Sequence, residues 1–194
     1  DDNSIEYVKP FIIKESCIVK FVAKNENTGF SKQMETEFVK IPKGRTIQLL
    51  TDYAPQYAAG GDKALIDGIK GINDFRLGDW QGYQEVNLEA VIDLGSNAYF
   101  EEMSIRFLQD IKAWIFMPES VEFYVSDSGK TFIFVGEVKN DIAQDNWDQI
   151  IKEFKIQVYP KETRYIKIIG KNIGKCPKGH KAEGYKAWIF ADEI

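Results

Sequence analysis

The sequence is poor in the residues that most catalytic and metal sites use. It contains one histidine, His180, and two cysteines, Cys17 and Cys176, among 194 residues. A structural zinc site of the usual spacing needs several Cys and His ligands, and no CxxC pair is present. No serine lies in a GxSxG-type motif, and the glycine-rich loops that bind nucleotide phosphates are absent. These absences leave three interpretations, namely an enzyme that uses carboxylate chemistry, a calcium-binding protein or a simple recognition module. The enzyme is the least favoured of the three.

The sequence also lacks long apolar runs and an excess of basic charge. Its apolar runs are a few residues long, as in Ala113–Met117, so no segment is predicted to span a bilayer. Lysine and arginine total 25 against 30 aspartate and glutamate residues, which gives a formal net charge of -5. Duplex nucleic acid requires a clustered basic face, so nucleic acid is not predicted as a partner. No secretory leader is recognisable at Asp1-Asp2-Asn3, and we interpret the sequence as a piece of a longer protein.

What the sequence does contain is a series of short runs with alternating apolar residues. Such alternation is typical of strands that bury one face, as Met103, Ile105 and Phe107 do in one run. A turn-forming cluster, Ser126–Lys130, separates two of the runs and predicts a hairpin. The predicted strands are Ala90–Leu94, Met103–Leu108, Val121–Val125, Thr131–Val135, Glu153–Val158, Tyr165–Ile169 and Ala187–Phe190. Many short strands without long helices predict an all-β fold, either an antiparallel sandwich or a jelly roll.

The first part of the chain has its own alternating run. Cys17, Val19 and Phe21 fall on one face of it, so we expect Cys17 to be a small buried hydrophobe; pairing with Cys176 is the less favoured alternative. The stretch Ile41–Gly44 interrupts the pattern and indicates a domain boundary.

A long non-periodic segment, Tyr57–Tyr83, is rich in glycine and aspartate. Loops of this length in compact domains usually have a function or are ordered by a metal. Calcium prefers carboxylate and carbonyl oxygens, and the Asp67-Gly68 turn supplies both kinds. The spacing is not that of an EF-hand, and a solvated polar loop in which Asp67 caps its own turn is the alternative.

A set of motifs then occurs in a specific order along the second part of the chain. They are Leu65–Gly68, Trp80, Val91–Gly95, Pro118 before Val121–Ser126, Arg164–Lys167 and Asp192–Ile194. In this order they resemble the discoidin domain, also called the coagulation factor V/VIII type C domain, whose sugar-binding relatives are the family 32 carbohydrate-binding modules. Trp80–Tyr83, Trp114–Pro118 and Ala187–Ile194 resemble versions found at the C-terminus of bacterial β-hexosaminidases (chitobiases) of glycoside hydrolase family 20.

The resemblance implies two domains and a parent enzyme. Residues 49–194 would form a galactose-binding-like jelly roll of eight strands, a discoidin-type carbohydrate-binding domain. Residues 1–48 resemble part of the small fibronectin type III-like β-sandwich that precedes such modules in chitobiases. The catalytic domain of a β-N-acetylhexosaminidase would then lie upstream in the same polypeptide. Such enzymes are exported, so the resemblance implies a periplasmic or cell-surface location.

The resemblance also implies a structural calcium ion. Carried over by position, Asp67 and Glu193 would supply the carboxylates, and the carbonyl groups of Ala64 and Leu65 would complete part of the shell. Many relatives have a threonine shortly after the Asp-Gly turn, whereas Ile69–Asp79 contains none, so Asn73 or Asp74 is the candidate substitute. The alternative is that Glu193 pairs with a nearby lysine.

A sugar site needs aromatic rings against the apolar face of a pyranose and polar groups for its hydroxyls. In the family it lies in loops at one end of the sandwich, close to the metal. The candidate sugar-binding residues here are Arg76, Trp80, Tyr83, Asp110, Lys112, Trp114 and His180. Trp80 could instead cover the core, Trp114 could be partly buried, and His180 could be a solvated loop tip. The lysines around His180 favour acidic or sulfated glycans, with a solvated face as the alternative.

The predicted function is therefore non-catalytic binding of a glycan that contains N-acetylhexosamine or galactose. A structural or protein-interaction module that braces the catalytic domain is the main alternative, and it predicts that Trp80, Tyr83 and Trp114 are all buried. Lipid binding, as in the coagulation relatives, is disfavoured because residues 49–194 carry 17 basic and 23 acidic side chains.

Overall fold

The computed structural model describes residues 4–38, 40–159 and 162–194. The chain divides into two compact units, the first ending at Ile41 and the second spanning Pro42–Ile194. The division lies within the stretch where the strand pattern breaks.

The first unit consists of short antiparallel strand pairs. Strand β1 (Cys17–Phe21) pairs with β4 (Met34–Phe38), and a small hairpin joins β2 (Lys24–Asn25) to β3 (Gly29–Phe30). The expected burial of Cys17 is wrong, since Cys17 is exposed with a free thiol. A two-stranded ribbon has no second layer to cover either of its faces, so alternation alone does not bury a side chain. The assignment of this unit to a fibronectin type III-like sandwich stays a prediction.

The second unit is a sandwich of two antiparallel sheets. Its strands are β5 (Thr46–Leu49), β6 (Gln81–Gln84), β7 (Leu88–Ala98), β8 (Glu102–Gln109), β9 (Ser120–Ser126), β10 (Ile133–Lys139), β11 (Ile150–Gln157), β12 (Thr163–Gly170) and β13 (Trp188–Asp192). One sheet has the order β10-β9-β12-β7-β5 and the other β11-β8-β13-β6. Their inner faces enclose a core that includes Phe107, Phe123 and Phe154. The predicted all-β jelly-roll sandwich is confirmed.

The seven strands predicted in this unit are all present, and two further strands, β5 and β6, complete the sheets. The predicted hairpin at Ser126–Lys130 joins β9 to β10, and the Ser126 hydroxyl accepts hydrogen bonds from the Ser128 and Gly129 amides. Strand β10 begins two residues later than predicted because these turn bonds keep the chain out of the ladder. In the described residues no helix is long and apolar enough to cross a membrane.

The segment between β5 and β6 forms a third layer over the outer face of the four-stranded sheet. Trp80 packs there with Trp188 and Phe190 of β13, and Tyr57 and Phe75 lie against the same cluster. Alternation along β13 explains the arrangement, since Ile189 and Ala191 face the core while their neighbours face this layer. The glycine- and aspartate-rich loop is thus ordered by aromatic packing.

Strand register brings four connections together at one end of the sandwich, which we call the upper end. Gly170 pairs with both Leu88 and Val121, and Ile150 pairs with Gln109. The β6–β7, β8–β9, β10–β11 and β12–β13 connections therefore meet at this end, because antiparallel neighbours turn at the same edge.

Candidate functional site

A tight turn after β8 presents Trp114 at the upper end. Asp110 and Ile115 exchange two backbone hydrogen bonds, of 3.0 and 3.1 Å, which close the turn. Trp114 occupies the left-handed region with φ of 66°, its amide donates to the Ile111 carbonyl, and its carbonyl accepts from the Trp188 amide. A non-glycine residue in this conformation is strained, and the surrounding bonds hold it there. The indole projects outward with 37% of the residue exposed.

Tyr185 places a second ring beside Trp114. The two ring centroids are 5.7 Å apart and the planes are inclined by 38°. Tyr185 is 64% exposed, and its backbone is fixed by bonds to Ala182 and Cys176. The exposed pair, Trp114 and Tyr185, forms a rigid aromatic surface of the kind that covers the apolar face of a sugar ring.

His180 is committed to holding the loop that carries Tyr185. Its Nε2 lies 2.9 Å from the Ile111 carbonyl oxygen, and its Nδ1 accepts from the Ala182 amide at 3.1 Å. These bonds assign the tautomer protonated at Nε2. Both ring nitrogens are occupied, so the expected contact with sugar hydroxyls is not supported. Only a ring face remains, and Trp147 stacks on it with centroids 5.4 Å apart and planes inclined by 19°.

Asp110 is the buried base of the turn, and its carboxylate is not presented to a ligand as an exposed group. The residue is 8% exposed, and its Oδ2 accepts from the Gln149 side-chain amide at 2.7 Å. Its Oδ1 is buried and has no hydrogen-bond partner among the described residues. Lys112 lies on the turn itself and is exposed, so the structure leaves it open to solvent beside the aromatic pair.

Trp80 and Tyr83 do not belong to this surface, and their prediction as sugar-binding residues is corrected. Trp80 is 1% exposed, and its Nε1 donates to the Ile72 carbonyl at 2.8 Å. Tyr83 faces the sandwich core, and its hydroxyl donates to the Gln81 side-chain carbonyl at 2.6 Å. Burial raises the pKa of Tyr83 well above its usual range. Both side chains alternate into packed layers, so neither ring is available to a ligand.

Arg76 is exposed and forms a two-point contact with Asp74, at 2.7 and 3.0 Å. The Asp74 carboxylate raises the pKa of Arg76 most, and the Asp110 carboxylate adds to the effect. Arg76 stays a candidate donor to a bound ligand.

Two of the candidate calcium ligands do converge. Glu193 Oε1 accepts from the Gly68 amide at 2.7 Å, and the Ile194 amide donates to the Leu65 carbonyl at 2.8 Å. Burial, together with the neighbouring Asp67 carboxyl group, raises the pKa of Glu193 to about 7. Two carboxyl groups in contact repel when both are ionised, and a cation between them removes that cost. The chemistry of Asp67 and Glu193 therefore fits a hard cation.

Asp74 does not join these two carboxyl groups. Its oxygens are occupied by the Arg76 side chain, which lowers the pKa of Asp74. In the described part of the chain, no group of three or more His, Cys, Asp or Glu side chains is placed to hold a metal. Backbone carbonyls such as those expected of Ala64 and Leu65 can supply further oxygens.

The candidate metal ligands and the aromatic pair lie apart, contrary to the expected proximity. Asp192, next to Glu193, pairs with Arg106, which lies four residues before Asp110 along β8. Four residues of strand span about 13 Å. Trp114 lies beyond the upper end of that strand, so the two sites are separated.

Two aromatic residues of the upper end were not among the candidates, namely Tyr185 and Trp147. Both are flanked by polar or small residues, Gly184 and Lys186 in one case and Asn146 and Asp148 in the other. An aromatic residue inside a polar loop has no neighbours in sequence to bury it, and this signal could have identified both.

Comparisons with known proteins give only distant structural likenesses. No protein-family model matches the chain, and no curated protein matches its sequence. Among solved structures, CpGH89CBM32-5 from Clostridium perfringens, in complex with GalNAc-β-1,3-galactose, is 15% identical with a TM-score of 0.46. The match covers 78% of this chain and 98% of that one.

Two other solved structures give similar values. The C-terminal domain of a chitobiase from Bacteroides fragilis is 20% identical, with a TM-score of 0.45 and coverage of 79% and 93%. The family 32 carbohydrate-binding module of C. perfringens NanJ, in complex with galactose, is 16% identical, with a TM-score of 0.45 and coverage of 78% and 95%. The jelly-roll assignment rests on the strand order of the two sheets.

Proposed function

We propose that the second unit is a non-catalytic carbohydrate-binding module whose ligand packs on Trp114 and Tyr185. The observation that carries the proposal is the exposed ring pair, in which Trp114 and Tyr185 stand on two connections fixed by backbone bonds. Rigid amphipathic rings bind the apolar face of a pyranose with little loss of conformational entropy. Lys112 and Arg76 extend from the same region and can donate to hydroxyl groups.

In this proposal the module acts by raising the residence time of its parent enzyme near a glycan. Weak binding is sufficient because a tethered catalytic domain then works at a high effective concentration of substrate. The sequence resemblance supports a β-N-acetylhexosaminidase as the parent and an exported location. The ligand would contain galactose or N-acetylhexosamine, and hydrolysis would be carried out by the catalytic domain.

Isothermal titration with galactose, N-acetylgalactosamine and N-acetylglucosamine tests the proposal. We expect saturable binding of at least one sugar and a loss of about tenfold or more for Trp114→Ala, because a stacked ring contributes on the order of 1.4 kcal/mol or more. Tyr99→Ala is the matched control, since Tyr99 is an exposed aromatic residue on the β7–β8 connection at the other end. Absence of binding to every sugar at millimolar concentration would favour the bracing role.

We also propose that the second unit binds a structural calcium ion through Asp67, Glu193 and the carbonyl oxygens of Ala64 and Leu65. The raised pKa of Glu193 supports this, since a buried carboxyl pair without a counter-charge has to retain a proton. The ion would join the long loop to the C-terminal end of β13. Asp74, paired with Arg76, is left out of the ligand set.

A further inference from the structure

A cavity of about 350 Å³ opens at the upper end, beside the aromatic pair but separate from it. It lies between the β8–β9 and β10–β11 connections, with the start of the β12–β13 connection as its third side. Phe116, Met117 and Ile173 give it apolar walls, while Glu119, Asn140 and Gln144 contribute polar ones. Its volume is within the range of small-molecule sites, about 300–1,000 Å³.

The walls of this cavity are held by hydrogen bonds within the loops. The Asn140 side chain both donates to and accepts from the backbone of Ile142, at 2.8 and 3.1 Å. Gln109 Nε2 donates to the Asn146 carbonyl at 2.9 Å, which fixes the far part of the same loop. The Glu119 amide donates to the Lys171 carbonyl at 2.8 Å. A preformed cavity spares a ligand the cost of ordering loops.

The chemistry of the cavity suits a neutral hydroxylated ring. Apolar side chains on one side and acceptors at the rim match the two kinds of surface on a pyranose. Glu119 is exposed at the rim, and its carboxylate can accept hydroxyl protons but repels an anionic group. Asp145 and Asp148 follow on the same loop, which strengthens the preference for an uncharged unit.

His180 links a wall of the cavity to the loop that carries Tyr185 of the aromatic pair. The His180 ring contacts Phe116 of the cavity edge-on, with centroids 5.5 Å apart. The His180 ring also stacks on Trp147, which is 42% exposed and belongs to the loop that lines the cavity. The Ile111 carbonyl accepts hydrogen bonds from both His180 Nε2 and the Trp114 amide. This one oxygen therefore connects the Trp114 turn to His180, on which Trp147 stacks.

We propose that this cavity, with Trp147 beside it, is a second saccharide subsite, so that the upper end binds a glycan of at least two neutral units. One unit packs on Trp114 and Tyr185, and another occupies the cavity. The inference rests on the proposed carbohydrate-binding function and adds the ligand's minimum length.

Titration of monosaccharides against their oligomers tests the second subsite. The probes are N-acetylglucosamine with its β-1,4-linked dimer and trimer, and galactose with lactose. We expect the wild-type protein to bind the best oligomer about tenfold more tightly than its monosaccharide, since one well-packed ring contact is of that size. Trp147→Ala and Glu119→Ala should each reduce this ratio at least threefold, and Glu119→Ala, which does not touch His180, should leave monosaccharide affinity unchanged. Tyr99→Ala, as before, should change neither quantity.

The results separate this inference from the function on which it rests. Equal wild-type affinities for monosaccharides and oligomers overturn the second subsite and leave the module's function intact. Variants that keep the wild-type ratio, or that lose monosaccharide and oligomer binding equally, also overturn it, because the loop then only supports the first site. Absence of all saccharide binding by the wild-type protein overturns both proposals.

Discussion

Gly71 lies in the loop that covers the four-stranded sheet, and replacing it by alanine tests how rigidly that layer is held. A Cβ atom at this position would lie 2.5 Å from Cε2 and 3.0 Å from Cδ1 of Trp80. Ordinary contacts are about 3.5–4.0 Å, so the loop or the indole must move by about 1 Å. Neither is free to move, because both are tied to other groups.

Four contacts hold the two partners. The Trp80 indole donates to Ile72, and the Arg106 guanidinium lies 5.6 Å from the ring centroid. The Gly71 amide donates to the buried Asp192 carboxylate, and its carbonyl accepts from Arg106 at 3.0 Å. Overpacking costs about 1–3 kcal/mol, and loss of a hydrogen bond to a charged group about 1.5–3 kcal/mol. We therefore expect Gly71→Ala to lower the free energy of unfolding by about 3 kcal/mol.

Gly136→Ala is the matched control for this prediction. Its Cβ would also approach an atom at 2.5 Å, but that atom is the terminal Cδ1 methyl group of Ile156, which can rotate away. We expect this variant to lose less than about 1 kcal/mol. Thermal unfolding by circular dichroism should show Gly71→Ala melting about 6–12 °C below the wild-type protein. If the two variants melt together, neighbour rigidity does not decide the cost and the reasoning is refuted.

Two further predictions concern ions. Calcium at a hundredfold excess over its Kd should stabilise the second unit by about 2.7 kcal/mol and raise its Tm by about 5–10 °C. Glu193→Gln should abolish this shift in Tm. If calcium leaves the wild-type Tm unchanged, the proposed calcium site is contradicted. The Arg164 guanidinium, which bonds both Asp93 oxygens at 2.8 and 2.9 Å, lowers the pKa of that carboxyl below 3.8 in the folded state. The ion pair therefore stabilises the folded protein above pH 3.8, the pKa of Asp93 in the unfolded chain, and this stabilisation is lost as the pH falls through the lower pKa of the folded state. Arg164→Gln should destabilise the protein at pH 7 but not at a pH below the folded-state pKa of Asp93. Melting curves across this range check it, and a difference that persists in acid contradicts it.

Strand prediction succeeded where one face of a strand is buried and the other is not. Met103 and Ile105 alternate with polar residues, and β8 buries them as that pattern requires. Strand β6 was missed because its sequence, Gln81-Gly82-Tyr83-Gln84, is polar and contains glycine. It is nevertheless buried, since Tyr83 faces the sandwich core and Tyr57 of the covering loop lies against Gly82. Sequence polarity therefore does not identify a buried strand whose polar side chains form hydrogen bonds within the protein.

The candidate ligand residues show the same division more sharply. Asp67 and Glu193, 126 residues apart, were paired by resemblance, and the fold brings their carboxyl groups together. Trp80 and Trp114 were both candidate sugar-binding residues, yet Trp80 is buried with Arg106 over its ring, whereas Trp114 is exposed. Which tryptophan is open depends on what the long loop covers, and the covering residues are distant in sequence.

The sequence by itself determined the all-β class, the hairpin that joins β9 to β10 and the absence of the common catalytic motifs. These features follow, respectively, from the local alternation of apolar residues, from turn-forming residues and from composition. Only the tertiary structure decided that Tyr185 lies beside Trp114 and that the His180 ring is hydrogen-bonded to a backbone carbonyl. It also decided that the aromatic pair and the candidate calcium ligands lie apart. These facts arise from contacts between connections that meet only when strand register closes the sandwich. Side-chain identity sets what a residue can bind, whereas packing against distant neighbours sets whether anything can reach it.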